Sequence, residues 1–141
     1  MTYTIEMMIH EERSRVAQLY LDMKHMPEWE KGLESIETTQ GTLFETGSQG
    51  IMHFTFDKTS IKMNMTIEKA CLPELIIQIF EVPGAWNRCV NHFIAIDDQT
   101  KWVMEVIFEF SQTMDLPKER FIEKTTESMT MFKRFVEGIR P

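Results

Sequence analysis

Cysteine is scarce in this chain, with only Cys71 and Cys89 among 141 residues. Two thiols cannot make the disulfide framework that staples small secreted domains, so the fold must rest on a packed core. A reducing, cytoplasmic setting is the simpler expectation. Long apolar runs are also missing: no stretch nears the roughly 20 residues that cross a bilayer. The start, MTYTIEMMIH, lacks a basic segment followed by an apolar run, so no signal peptide is expected. Basic charge is in deficit, 15 Lys plus Arg against 22 Asp plus Glu, for a formal net charge of −7. The basic residues are scattered rather than clustered. Such a surface repels phosphate backbones and anionic lipids, and nucleic acid is excluded as an expected partner. Repeats, low-complexity tracts and interdomain linkers are absent, so residues 1–141 are read as a single domain.

Motifs of chemistry are missing as well. There is no Gly-rich phosphate loop and no G-x-S-x-G elbow. No His, Cys and Asp cluster has metal spacing, and His10 and His25 stand alone at helix edges with nothing to form a triad. No metal and no cofactor is expected.

What is abundant is methionine, with 12 residues. Methionine is flexible and polarizable. It fills irregular gaps in cores and is over-used on surfaces that accept varied apolar partners. Several of these methionines alternate with polar residues. In MHFTFDKTSIKMNMTI, Met52, Phe54 and Phe56 take every second place, then Ile61, Met63, Met65 and Ile67 do the same. Period-2 alternation marks strands with one buried face.

The order of elements follows from such patterns. Residues 3–9 read as a first strand. Residues 11–23 read as a helix with Val16, Leu19, Tyr20 and Met23 on one face, and PEWEKG as a second short helix ended by Gly32. Strand-like segments follow at 34–40, 50–57, 60–69, 74–82, 86–96 and 101–111, separated by turn residues. A long helix then runs from an N-cap at Asp115 to Gly138, with Pro117 in its first turn. Its apolar stripe comprises Phe121, Ile122, Met129, Phe132, Phe135, Val136 and Ile139, with Thr125 and Ser128 in the middle. The fold class is α+β, with helices packed on one face of an antiparallel sheet.

This order resembles the START/Bet v 1-like superfamily, also called the polyketide cyclase and lipid-transport group. The phrases DMKHMPEWEKGLESIE, VPGAWNRCVNHFIAIDDQTKWVMEVIFEF and MTMFKRFVEG are similar to its region after the first helix, its closing hairpin and its terminal helix. The resemblance implies a helix-grip fold: a curved antiparallel sheet wrapped around a long C-terminal helix, with two short helices after the first strand.

Matching each hairpin to the next gives the inward face. Pairing Ile96 with Lys101 sets Arg88 opposite Glu109 and His92 opposite Glu105 on the solvated face. Phe93, Trp102, Met104, Val106, Phe108 and Phe110 then point inward. Pairing Val82 with Ala85, and Lys69 with Glu74, carries the same parity to Ile76, Gln78 and Phe80, then to Met63, Met65, Met52 and Phe54. Lys62 then faces Glu81. The inward set contains polar exceptions: Gln78, Asn87, Asn91, Thr125 and Ser128, with Cys89. A buried polar group without a partner costs about 1–3 kcal/mol, so each must bond protein, water or a guest. One reading pairs Gln78 with Asn91 and bonds Thr125 and Ser128 back to helix carbonyls. The other has them orient a mostly apolar guest.

Binding is therefore the leading expectation. A hydrophobic small molecule, lipid-like or polyketide-like, would sit between sheet and terminal helix. Its expected wall is Met52, Phe54, Met63, Met65, Gln78, Phe80, Asn87, Asn91, Trp102, Met104, Phe108, Thr125, Ser128, Met129 and Phe132. Trp29 either caps the mouth with Met23 and Met26 or simply packs the short helix on the barrel edge, as aromatics usually do. The resemblance also implies two alternatives, a cyclase- or dehydratase-like enzyme and a chaperone-regulator-like interaction domain. No Asp, Glu, His, Lys or Arg of the strands between residues 50 and 110 points inward, which counts against acid–base chemistry there. Outward Ile77, Ile79, Val90 and Ile94 are candidates for a contact patch or homodimer surface.

Overall fold

The computed structural model describes residues 1–138. Ile139, the last member of the helix stripe, lies outside the described residues. Seven strands form one antiparallel sheet: β1 (Thr2–Ile9), β2 (Leu33–Gln40), β3 (Gln49–Phe56), β4 (Thr59–Cys71), β5 (Leu75–Val82), β6 (Ala85–Ile96) and β7 (Gln99–Phe110). Their order across the sheet is β1-β7-β6-β5-β4-β3-β2, so the chain runs as a meander except that β1 and β2 take opposite edges. Helix α1 (Arg13–Tyr20) and a 3-10 turn (Met26–Glu28) bridge those edges, and α2 (Lys118–Gly138) lies on the concave face. This is the helix-grip arrangement, with the second short helix reduced to a single 3-10 turn.

Local chemistry sets these bounds. Helix α1 begins where the side chain of Glu12 accepts from the backbone N–H of Arg15. It ends at Tyr20, short of the expected 23, and Met23 is exposed rather than packed. Helix α2 starts at Lys118, so Asp115 is not its N-cap; Pro117 stands just before it and accepts from the Arg120 N–H. Gly32 closes the 3-10 segment with a left-handed φ of 81°, and a Cβ there would sit 2.7 Å from Cε1 of Phe56. That conformation favours glycine, and an added Cβ would push the exposed Phe56 ring aside.

The inward parity is as expected, but two registers are not. Ile96 pairs with Gln99, not Lys101, across a two-residue turn that begins with Asp97 at φ 55°. Two-residue turns match the strand twist, and Asp tolerates the left-handed region. Arg88 therefore faces Ile107 instead of Glu109 and turns to Glu68, which it holds with two bonds of 2.9 and 2.7 Å. His92 faces Val103, yet its ring reaches diagonally to Glu105 at 2.8 Å. Likewise Cys71 pairs with Leu75, and Lys69 with Ile77 rather than Glu74. A bulge between Ile67 and Lys69 absorbs the odd residue, so Ile67 pairs with Gln78 instead of the expected Ile76, and both stay inward. Asn64, not Lys62, then stands opposite Glu81.

The core lies between the sheet, α1 and the second half of α2. Ile9, Val16, Met65, Ile67, Ile76, Phe93, Trp102, Met129, Phe132 and Val136 are all at most 2% exposed. Burying each large apolar side chain contributes roughly 1.5–3 kcal/mol. On the convex side Ile77 is buried, at 8% exposure, while Ile94 is exposed. The expected outward patch is therefore broken.

Candidate functional site

The interior has two unlike halves. In the half under α1, the space between sheet and α2 is filled by aromatic rings. Tyr20 stacks on Trp29 at 5.5 Å between centroids, Trp29 meets Phe132 at 4.7 Å, and Trp102 meets Phe132 at 5.4 Å. Trp29 is thus a core residue, not a cap at a mouth, and Met26 is buried beside it. The offset and edge-on contacts are the favourable ones for aromatic quadrupoles.

The polar exceptions of this half satisfy each other. Tyr20 donates to Oε1 of Gln78 at 2.7 Å, and Asn91 Nδ2 donates to the same oxygen and to the Ile76 carbonyl, each at 3.3 Å. The Trp102 indole N–H donates to Oδ1 of Asn91 at 3.0 Å, and Gln78 Nε2 points at Sδ of Met65 at 3.6 Å. The Gln78–Asn91 bond is the cross-strand pair anticipated from the sequence. Of the expected wall, Met52, Phe54, Met65, Gln78, Asn91, Trp102, Met104, Met129, Phe132 and Trp29 are buried in this packing.

The other half is open. Met63, Phe80, Asn87, Phe108 and Thr125 are only half-buried although they face inward, and Ile61 and Phe56 at the β3–β4 tip are exposed. Helix α2 is held here on its β1 side: the Tyr3 hydroxyl lies 2.7 Å from Oγ1 of Thr125 and donates to the Phe121 carbonyl at 3.2 Å. Thr125 is thus bonded to β1 and not to its own helix. The back-bonds to carbonyls four residues earlier are made by Thr126 and Thr130 instead. Residues seven apart share a helix flank. Phe121 packs on Phe108 at 5.3 Å and Phe135 lies over His25 at 6.2 Å. Ser128, midway along that flank, is exposed. Its expected place inside the packing is therefore corrected: Ser128 stays outside it while Thr125 and Met129 on either side of it are held. Asn87 reaches the Ile107 carbonyl through Nδ2 at 3.1 Å, and its Oδ1 lies 3.4 Å from the Cys89 sulfur.

Electrostatics single out two groups. Burial pushes the Cys89 thiol up to about 12, the nearby Asn87 partly offsetting it and Glu30 adding to it. A thiol so protonated is no nucleophile. Burial alone pushes the Glu30 carboxyl up to about 7, with no cation or hydrogen bond among the described residues to offset it. Glu30 was missed in the sequence because it sits in a turn, where no periodicity says which way a side chain points. His53 and His92 face outward beside Glu37 and Glu105, as expected. The described residues contain no group of His, Cys, Asp and Glu that could hold a metal ion. Two further hollows lie outside the sheet–helix interior. One is a groove of about 420 Å³ beside Lys62, Asn64 and Glu81, the other about 260 Å³ between α1 and Leu72–Pro73.

Comparison with solved structures agrees with this architecture. The protein Ara h 8.0201 superposes with a TM-score of 0.82 at 14% identity, covering 99% of both chains. A Chromobacterium violaceum protein gives 0.76 at 13% identity over 97% of this chain and 98% of its own. Ginseng major latex-like protein 151 from Panax ginseng gives 0.75 at 8% identity, over 96% of each. The fold is that of the START/Bet v 1-like superfamily. No family profile and no curated protein sequence matches the chain. No helix among the described residues is long and apolar enough to cross a membrane.

Proposed function

We propose that the chain is a single binding domain that takes a hydrophobic small molecule, lipid-like or polyketide-like, between sheet and α2. The observation that carries this reading is the open half of the interior. There Met63, Phe80 and Phe108 face inward yet stay half-exposed, and Ser128 on α2 is exposed. Apolar walls with a few polar groups are the usual composition of a small-molecule site. The filled half supplies the rigid back wall, and the soft, half-buried Met63 can adjust to a guest's shape.

The test is a plug. Ser128→Trp places a large ring in the gap at an exposed position, so folding should be unaffected. Binding of the fluorescent apolar probe 1-anilinonaphthalene-8-sulfonate should weaken at least tenfold, with the urea midpoint unchanged. Equal binding by parent and variant would remove the cleft from consideration. Native against denaturing mass spectra of the protein from its own cells would then identify the class of guest by the mass lost on unfolding.

A further inference from the structure

The chain between β7 and α2, residues 111–117 (SQTMDLP), is exposed at every position. It carries two large apolar side chains, Met114 at 42% exposure and Leu116 at 50%, the highest value for any large apolar side chain among the described residues. The segment is pinned only at its ends. The Ser111 N–H donates to the Gly84 carbonyl at 3.0 Å, and the Pro117 carbonyl accepts from the Arg120 N–H at 3.0 Å. Between them, residues 112–116 make no backbone hydrogen bond among the described residues. The flanking rings of Phe110 and Phe121 lie 5.5 Å apart, and both pack on Phe108, at 5.6 and 5.3 Å. Seven extended residues reach about 23 Å, so the segment has slack.

The pairing registers place this segment at the rim of the open half. Phe80, Asn87 and Phe108 stand side by side across β5, β6 and β7, and Val82, Ala85 and Phe110 form the next row toward the strand ends. These residues share the parity of the buried Gln78, Asn91 and Trp102, so they face inward, yet each is only half-buried. Ser111 is the first residue beyond the second row. Two apolar rows thus lack a full cover, while two apolar side chains stand uncovered on the chain that leaves them. A segment with slack and no backbone bonds to break moves at little cost. Folded over the two rows, Met114 and Leu116 would leave water together with the rings they meet, and methionine adapts to an irregular surface. In the empty protein that closure would enclose a void whose lining has no partner atoms. A guest fills the void, so closure depends on occupation.

We infer that residues 112–116 are a lid that folds across the Phe80–Phe108 and Val82–Phe110 rows when a hydrophobic guest is bound, with Met114 and Leu116 against the guest. Ser111 and Pro117 are its hinges. This rests on the proposed binding role and adds a closing step to it. The lid governs release of the guest and not the stability of the fold, because Met114 and Leu116 take no part in the core.

The experiment uses the neutral fluorescent probe N-phenyl-1-naphthylamine with the parent and with the double variant Met114→Ser/Leu116→Ser. Both positions are exposed, so the urea midpoint should not move. Changes at a binding surface appear mostly in the release rate, and stopped-flow dilution should show release at least about tenfold faster from the variant. Nuclear magnetic resonance supplies a second readout on the parent. With the probe bound, the methyl groups of Met114 and Leu116 should give Overhauser contacts to its ring protons, and the amide protons of residues 112–116 should exchange more slowly with water. Equal release rates without such contacts, for a probe that Ser128→Trp excludes, would overturn the lid and leave the cleft standing. Contacts from those methyls to lipid in phosphatidylcholine vesicles, with none to the probe, would overturn it in favour of a loop seated in a membrane surface. Failure of the parent to bind the probe would overturn the lid together with the binding role.

Discussion

The hydroxyl of Tyr20, on the last turn of α1, donates to Oε1 of Gln78 in the centre of the sheet at 2.7 Å. This bond joins a helix to the strand it packs against, across a cluster of rings that excludes water. Burial holds the Tyr20 phenol far above its ordinary value, so it is a neutral donor throughout. Removing one partner leaves the other buried and unmet, which costs more than the bond itself contributes. Tyr20→Phe should cost about 1 kcal/mol, because Asn91 still donates to the same Gln78 oxygen. Gln78→Leu should cost roughly 2–3 kcal/mol, since it orphans Tyr20 and one Asn91 hydrogen. The double variant should be less destabilised than the sum by about 1 kcal/mol. Urea unfolding of all four proteins measures this, and strict additivity would show the bond to be energetically idle.

Glu30 makes stability depend on pH in an unusual direction. Its carboxyl titrates near 7 in the folded chain against an ordinary value of 4.5, because burial disfavours the charged form. Between those values the folded chain holds a proton that the unfolded chain has released. Its stabilising contribution is complete below the unfolded value and is lost as pH rises toward the folded one. The full effect has an upper limit of about 3 kcal/mol. Glu30→Gln cannot ionise, so the variant should match the parent near pH 4 and exceed its stability by up to about 3 kcal/mol near pH 8. Urea midpoints across that range would show the two curves diverging. Parallel curves would mean that the Glu30 carboxyl is solvated.

Much of this was legible from the chain. Alternation fixed which side chains face α2, since a strand's period of two allows one buried set, and Met65, Gln78, Asn91 and Trp102 all lie where it put them. Turn lengths were less legible. The Asp97–Asp98 hairpin is two residues shorter than the pairing of Ile96 with Lys101 assumed. A shift of two moves partners along the strand without exchanging faces, so the inward list survived. The bulge at β4 survived for a different reason: it cancels the odd turn that follows it. The site was read least well where α2 is concerned. A helix stripe says which residues share a flank but not whether the sheet reaches that flank, and Ser128 is exposed for that reason. Trp29 and Glu30 were beyond periodicity altogether, because they lie in the turn after the 3-10 segment, where packing in the assembled core aims each side chain.

The two thiols provide a final measure of how firmly the interior is closed. Cys71 is exposed at the end of β4, beside the turn to β5, whereas Cys89 is buried in β6 with Gln78 opposite it. Thiol reagents attack the thiolate, and both burial and a proton affinity raised to about 12 keep Cys89 from supplying one. A disulfide reagent such as 5,5′-dithiobis(2-nitrobenzoate) should therefore label Cys71 within minutes at pH 8. Labelling of Cys89 should wait for unfolding, or for opening of α2 from the sheet. In the Cys71→Ser variant the slow phase stands alone, and its rate reports that opening directly. If α2 swings away to admit a guest, saturating 1-anilinonaphthalene-8-sulfonate should slow the Cys89 phase severalfold, because an occupied cleft holds the helix and sheet together. A fast Cys89 phase in the native protein would mean that the filled half of the interior is not closed at all. The aromatic packing of Trp29, Phe132 and Tyr20 could then no longer be the rigid back wall on which the binding role depends.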